Sequence, residues 1–125
     1  MQIIRRNEIE FEIELSLEQL LVIRQSLGEV CSGFRVVDFE EKIGDEKFTR
    51  LELERFRRIF DESEHKGSPL VLLANAGQIA IYRNAIRETC LEIDEWGFST
   101  RIAGLPKKLA EDVLANLEKA LCDAS

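Results

Sequence analysis

The chain has 125 residues, of which 45% are hydrophobic and 33% are charged, and this length suits one domain over residues 1–125 with a single core. Twenty-four acidic and seventeen basic residues give a formal net charge of −7. A charge of this sign repels phosphate backbones and anionic membranes, so it disfavours nucleic-acid and membrane binding and favours encounter with a basic protein.

The first fifteen residues lack the continuous apolar stretch of a signal peptide, and no apolar run approaches the roughly 20 residues that a membrane-spanning helix needs. The three cysteines, Cys31, Cys90 and Cys122, form neither a CxxC pair nor a spacing typical of zinc sites. We therefore expect a cytoplasmic protein with reduced thiols, no metal and no cofactor.

The first predicted element is a strand over residues 8–15, where acidic and apolar side chains alternate strictly. In a pleated strand this pattern puts the apolar side chains on one face and the carboxylates on the other. The carboxylates are those of Glu8, Glu10, Glu12 and Glu14. A solvated face is the simplest interpretation of this row, and the alternative is a docking surface for a basic partner.

A long amphipathic helix is predicted next, because Ser16 followed by Gln19 can form a reciprocal helix cap and apolar residues then recur at helical spacing as far as Phe34. Phe39 and Ile43 indicate a short helical turn. A second long helix is expected to begin at a capping box formed by Thr49 and Glu52. It carries four arginines among glutamates, which favours a solvated face over an RNA contact: Arg50, Arg55, Arg57 and Arg58.

Residues 61–69 are polar and end in Gly, Ser and Pro, which predicts a surface linker with His65, the single histidine, in solvent. The strand predicted after it, residues 70–74, is apolar on both faces. Such a strand is either deeply covered or meets a partner, so a homodimer that buries Val71 and Leu73 is one alternative. Asn75 and Gln78 then predict a capped helix, and Pro106 suits the first turn of a final helix.

Residues 19–43 align without a gap on residues 78–102, which indicates an internal duplication with units 8–60 and 68–122. The identical pairs are Gln19 with Gln78, Arg24 with Arg83, Glu29 with Glu88, Cys31 with Cys90, Phe39 with Phe98 and Ile43 with Ile102. The sequence therefore predicts an α+β fold in which a strand, a long helix, a short helix and a second long helix occur twice. We expect the two strands to pair at the centre of a small sheet, about a pseudo-twofold axis, with the helices covering it.

Residues shared by the two units have a structural and a functional interpretation. Cys31 and Cys90 lie on apolar stripes near helix C-terminal ends, where the helix dipole opposes a thiolate, so buried structural thiols are expected rather than nucleophiles. The charged pairs are expected to tie each long helix to the short turn that follows it, with twin binding sites as the alternative. These charged residues are Arg24, Glu29, Lys42, Arg83, Glu88 and Arg101.

One pattern carries a family resemblance: a helix ending in Glu-Val-Cys-x-Gly, an aromatic residue, a basic residue before a glycine, and a Thr-capped helix. The matching residues are Glu29, Val30, Cys31, Gly33, Phe39, Lys42, Gly44, Thr49 and Glu52, with Glu88, Cys90, Phe98 and Arg101 in the second unit. The chain thus resembles a loosely defined family of small, mostly uncharacterised acidic bacterial proteins, some similar to toxin immunity proteins. The second unit departs at Thr89 and Glu92, which replace the valine and the glycine.

The resemblance implies binding rather than catalysis and supplies no catalytic residues. Together with the negative charge, it leads us to expect a non-catalytic protein-binding module, most concretely an immunity-type inhibitor of a basic toxin. A structural or regulatory homo-oligomer is the alternative, and a small enzyme using Cys31 or Cys90 is a third hypothesis. The candidate partner-binding residues are Glu8, Glu10, Glu12, Glu14, Val71, Leu73 and Trp96.

Overall fold

A computed structural model describes residues 1–64 and 69–124, and within them the chain has the predicted α+β fold, with three strands and six α-helices. The strands are β1 (Gln2–Arg5), β2 (Glu10–Leu15) and β3 (Leu70–Asn75). The helices are α1 (Leu17–Gly28), α2 (Phe39–Lys42), α3 (Glu46–Ser63), α4 (Ala76–Glu92), α5 (Glu95–Arg101) and α6 (Lys107–Ala124). A single π-helical turn, Glu29–Gly33, extends α1.

The three strands form one antiparallel sheet in the order β1-β2-β3. The two predicted strands pair with each other, but the expected arrangement is wrong in one respect: β1, which the sequence did not predict, occupies the far side of β2. Only β2 is therefore central, and β3 is an edge strand. The side chain of Asn7 holds the turn between β1 and β2, because its Oδ1 accepts hydrogen bonds from the N–H groups of Ile9 and Glu10 at 2.8 and 2.9 Å.

The alternation in β2 works as predicted, since Phe11, Ile13 and Leu15 are buried against the helices. On β3, Leu72 and Ala74 are buried on the same face of the sheet. Consecutive side chains of a strand point to opposite faces, so the glutamates of β2 and the side chains of Val71 and Leu73 on β3 point the other way. The core therefore lies on one side of the sheet only.

The helix starts at Ser16 and Asn75 are confirmed as reciprocal capping boxes. The Ser16 hydroxyl accepts from the Gln19 N–H at 3.1 Å, and the Gln19 side chain accepts from the Ser16 N–H at 2.8 Å. Asn75 and Gln78 repeat this exchange with two bonds of 2.8 Å. Each cap satisfies two backbone N–H groups that a helix start would leave unpaired, which fixes where α1 and α4 leave the sheet.

The predicted start of α3 is wrong. Asp45 caps this helix by accepting from the Phe48 N–H at 2.7 Å, whereas Thr49 lies inside the first turn and donates its hydroxyl to the Asp45 carbonyl at 2.7 Å. Glu52 is buried and 5% exposed. The helix also runs on to Ser63, into the segment predicted as a linker, and the predicted loop residue His65 lies outside the described residues.

The order strand, long helix, short helix, long helix occurs twice after β1, while the duplication itself stays a prediction. The chain just after α2 packs against α4, which belongs to the other half. Asn84 of α4 donates to the carbonyl of Ile43 at 2.9 Å. Gly44 turns the chain with φ 142°, and a Cβ atom there would lie 3.2 Å from the side chain of Ile81. The two halves are thus interlocked around one core.

Candidate functional site

Five of the seven predicted partner-binding residues lie on the face of the sheet opposite the core, which we call the open face. The strand register aligns Ile4, Glu12 and Leu73 in one row across the three strands. The next row contains Gln2, Glu14 and Val71. Glu10 precedes them on β2, so a column of three carboxylates runs along the middle of the open face.

Apolar side chains flank this column on both sides. Ile4 on β1 is 43% exposed, and Val71 and Leu73 on β3 are 58% and 45% exposed. The open face of β3 is therefore not covered by any described residue of this chain. Of the two predicted alternatives, deep cover on both faces is wrong, and contact with a partner stays a prediction. Arg6, which follows the last residue of β1, forms an ion pair with Glu12, and the two charged groups are 3.2 Å apart. Because both side chains are partly solvated, this pair adds little stability, but it does neutralise one of the three carboxylates of the column.

A groove of about 530 Å³ opens at one end of the sheet, between the β1–β2 turn and the start of α4. Its lining residues are Asn7, Glu8, Ile9, Glu10, Asn75 and Gln78. Glu8 lies in this turn rather than on β2, so the predicted strand begins two residues later than expected. Ile9 lines the groove and is 69% exposed, whereas the predicted strand over residues 8–15 placed it on the apolar face.

Trp96 does not belong to the open face. It lies on the short helix α5, outside the sheet, and is 91% exposed. The structure thus brings together Glu10, Glu12, Glu14, Val71 and Leu73, places Glu8 beside them at the groove, and leaves Trp96 apart. Sequence reasoning missed Ile4, which belongs to the open face, because β1 was not predicted.

No protein-family model, curated protein or solved structure matches the chain. The resemblance to small acidic bacterial proteins therefore stays a prediction. Among the described residues, no helix is long and apolar enough to cross a membrane.

A buried polar cluster joins α3, α4 and β3 behind the sheet. The Tyr82 hydroxyl donates to the carboxyl group of Glu52, and Gln78 donates to the same carboxyl group at 3.3 Å. Arg55 contacts Glu52 and the Tyr82 oxygen at 3.4 and 3.2 Å and donates to the carbonyl of Leu73 at 2.5 Å. Burial and the Glu52 carboxyl group raise the pKa of Tyr82 strongly, so its hydroxyl keeps its proton.

This cluster is closed to solvent on the tyrosine side, because Tyr82 is fully buried and its ring packs edge-to-face with that of Phe56, with 4.9 Å between the centroids. Each polar atom of Glu52 has a partner, as buried polar groups require. The arrangement therefore fixes the edge strand relative to two helices. The sequence did not reveal this cluster, because Glu52 also has the spacing from Thr49 that a capping box requires.

The cysteines lie in two partly buried sites and one exposed site. Burial raises the pKa of the Cys31 thiol, and the same cause raises the pKa of the Cys90 thiol. A raised pKa leaves less thiolate at neutral pH, which makes both groups weaker nucleophiles. Within residues 1–64 and 69–124, no cluster of three His, Cys, Asp or Glu side chains is arranged to hold a metal ion.

The expected pairing of charges within each half is wrong for Glu29. Its carboxyl group pairs with Arg101 of α5, in the opposite half, rather than with Lys42. The expected tie between Glu88 and Arg101 in the second half is wrong as well, because Glu88 contacts its neighbour Arg87 at 3.6 Å. The Glu29–Arg101 pair therefore connects the halves, consistent with the packing of Gly44 against α4. The remaining two predicted structural cations have local contacts: Arg24 lies 4.8 Å above the Phe60 ring, and Arg83 donates to Asn84 at 2.8 Å.

The arginines of α3 do not form one free basic surface. Arg50 pairs with Glu46 at 3.2 Å, and Arg57 pairs with Glu54 at 2.6 Å. Arg55 turns inward to the buried cluster. These ion pairs on the helix surface neutralise much of the local positive charge, as the solvated-face interpretation expects.

Proposed function

We propose that this protein is a non-catalytic binding module whose open face docks a basic, amphipathic surface of a partner protein. The observation that carries the proposal is the column Glu10, Glu12 and Glu14 between the exposed apolar side chains of two neighbouring strands. A purely solvated sheet face would not need apolar residues on both sides of its carboxylates.

The partner's chemistry follows from this arrangement. Lysine and arginine place a charged head at the end of an apolar stem, so a basic surface can meet the carboxylates while its stems and neighbouring aliphatic groups cover Ile4, Val71 and Leu73. The net charge of −7 adds long-range attraction, which raises the rate of encounter. The groove beside Glu8 and Glu10 extends the same acidic surface.

The most concrete form of this function is an immunity-type inhibitor that covers the basic surface of a toxin. Inhibition by covering needs a rigid surface and no chemistry of its own. The capped helices and the buried cluster at Glu52 support rigidity, and the raised pKa values of Cys31 and Cys90 speak against thiol catalysis. Small size and one-sided core packing suit such a role.

The test uses a designed cationic helical peptide with leucines on one face and lysines on the other, titrated by calorimetry against the whole protein. We expect binding at low salt that weakens by roughly tenfold or more at high salt, because exposed charges are screened. A peptide of the same composition in scrambled order should bind less tightly. Equal binding of the two peptides would contradict an amphipathic docking surface.

A second experiment concerns the natural partner. The protein is co-expressed with the product of its neighbouring gene and purified at low and at high salt. A complex that contains a basic protein and is sensitive to salt supports the immunity-type form. Absence of any complex at low salt counts against that form and leaves the peptide titration to decide the broader proposal.

A further inference from the structure

The edge strand β3 has no charged side chain of its own, although the Arg55 guanidinium group of α3 reaches its free edge at the Leu73 carbonyl. Its six residues, Leu70 to Asn75, include no Lys, Asp, Glu or Pro. Natural edge strands are commonly protected by charges, prolines, bulges or a covering element, because their unpaired N–H and C=O groups are a template for another strand. At the other edge, β1 carries Arg5 and is contacted by α6.

The hydrogen-bond directions show which residues of β3 face the free edge. The carbonyl of Leu73 accepts from Arg55, and the Asn75 N–H donates to the Gln78 side chain, so neither group is directed at β2. Opposite Asn75, the carbonyl of Glu10 accepts from the N–H of Arg6 on the β1 side. Along an antiparallel ladder, residue pairs that are hydrogen-bonded to each other alternate with pairs that are not. Leu73 and Val71 are therefore both unbonded to β2, and they present their N–H and C=O groups to the free edge.

We infer that β3 pairs antiparallel with β3 of a second copy of this chain, about a twofold axis at Leu72. In this register Val71 of one copy exchanges two hydrogen bonds with Leu73 of the other, and the reverse pair is identical. The Leu73 carbonyl has two lone pairs, so it accepts from the partner strand while it accepts from Arg55. The two three-stranded sheets become one sheet of six strands.

Charge favours this edge contact over face-to-face stacking of two copies. Stacked open faces would oppose the two glutamate columns, and unpaired like charges at an interface are strongly unfavourable. Edge pairing keeps the columns three strand spacings apart, about 14 Å, which exceeds the Debye length of about 8 Å at physiological ionic strength. It also places Val71 and Leu73 of both copies beside one another, which covers part of their exposed apolar surface.

The contact is small, so we expect a weak dimer that forms towards the upper end of a concentration range from about 10 µM to about 1 mM in sedimentation equilibrium. Amide exchange should show concentration-dependent protection of the N–H groups of Val71 and Leu73. This inference does not rest on the proposed partner binding, since edge pairing uses none of the glutamates, although Val71 and Leu73 also belong to the open face.

Two variants at one position test the geometry. Val71→Pro removes the N–H at the free edge but none that bonds β2, and we expect it to raise the dimer dissociation constant by roughly tenfold or more. Val71→Thr keeps the N–H and the β-branched shape, so its effect should be under about threefold. Thermal unfolding establishes that both variants fold.

A wild-type protein that stays monomeric over the whole range would overturn the inference. Equal weakening by the proline and threonine variants would also overturn it, because association would then depend on the apolar side chain rather than on strand pairing. Where Val71→Pro does not fold, wild-type amide exchange decides: equal exchange of Val71 and Leu73 at both ends of the range excludes the edge contact.

Discussion

Tyr82 of α4 donates its hydroxyl hydrogen to the buried carboxyl group of Glu52 on α3. Arg55, one turn after Glu52, contacts both groups and also holds the carbonyl of Leu73 on β3. Two helices and the edge strand are thereby joined through one cluster. Since Leu73 belongs to the open face, this buried contact positions part of the surface that we propose for partner binding.

Removing the hydroxyl by Tyr82→Phe should lower the free energy of unfolding by about 1–3 kcal/mol, because a buried carboxyl group then loses a hydrogen-bond donor. The urea-induced unfolding midpoint measures the change. Arg57→Gln is a matched control that breaks the exposed pair with Glu54 and should cost less than about 0.5 kcal/mol. Equal losses of unfolding free energy in the two variants would show that the buried cluster stabilises the fold no more than an exposed ion pair does.

The stability of the fold should fall with pH above the usual tyrosine range. Burial and the Glu52 carboxyl group raise the pKa of Tyr82 in the folded protein above its ordinary value of 10.0. A raised folded-state pKa gives stability that is complete below the unfolded pKa and is lost as pH increases above it. The urea midpoint should therefore fall more steeply above pH 10 in the wild type than in Tyr82→Phe.

Absorbance gives a direct check of the same property, because Tyr82 is the single tyrosine of the chain. We expect no tyrosinate absorbance in the folded protein as pH rises through 10, and its appearance together with unfolding. A normal titration near pH 10 in the folded state would contradict the buried environment described for this residue.

The ion pair between Glu29 and Arg101 connects the two halves of the chain. The Glu29 side chain is 16% exposed and that of Arg101 is 39% exposed, so the pair should couple by about 0.5–1 kcal/mol. A double-mutant cycle with Glu29→Gln and Arg101→Gln in urea unfolding measures this coupling. The same cycle on Glu29 and Lys42 should give a value near zero, and a larger value there would restore the pairing within one half.

The three thiols should differ in reactivity towards a disulfide reagent at neutral pH. Burial raises the pKa of Cys31 and of Cys90, whereas Cys122 is exposed near the end of α6. In the folded Cys122→Ser variant, we expect the two remaining thiols to react at least roughly tenfold more slowly than in urea. Rapid reaction of either thiol in the folded state would favour the enzyme hypothesis.

Local patterns predicted the parts of the fold that are decided locally. The alternation in residues 10–15 needs only the two faces of one strand, and the caps at Ser16 and Asn75 need only residues three positions apart. β1 was missed because it has four residues and is followed by charged and polar residues, so its pattern is too short to be distinguished from a terminal segment. Its position depends on pairing with β2.

Features that depend on distant residues could not be read from the sequence. Glu52 satisfies the spacing of a capping box with Thr49, and only the presence of Tyr82 and Arg55 around it explains why it is buried instead. Glu29 likewise pairs with Arg101 rather than with Lys42, because the fold brings Arg101 of α5 to the carboxyl group of Glu29. For the open face, the sequence predicted the glutamates and Val71 and Leu73, but their flanking by Ile4 required the register of β1.

The most direct measurement of the proposed function compares two charge-matched double variants in the cationic-peptide titration at low salt. Glu12→Gln with Glu14→Gln alters the open face, and Glu62→Gln with Glu118→Gln removes the same charge from exposed positions on α3 and α6. We predict that the first pair weakens binding by roughly tenfold and the second by less than about twofold. Equal weakening by the two pairs would contradict a docking surface on the open face, since only net charge would then matter.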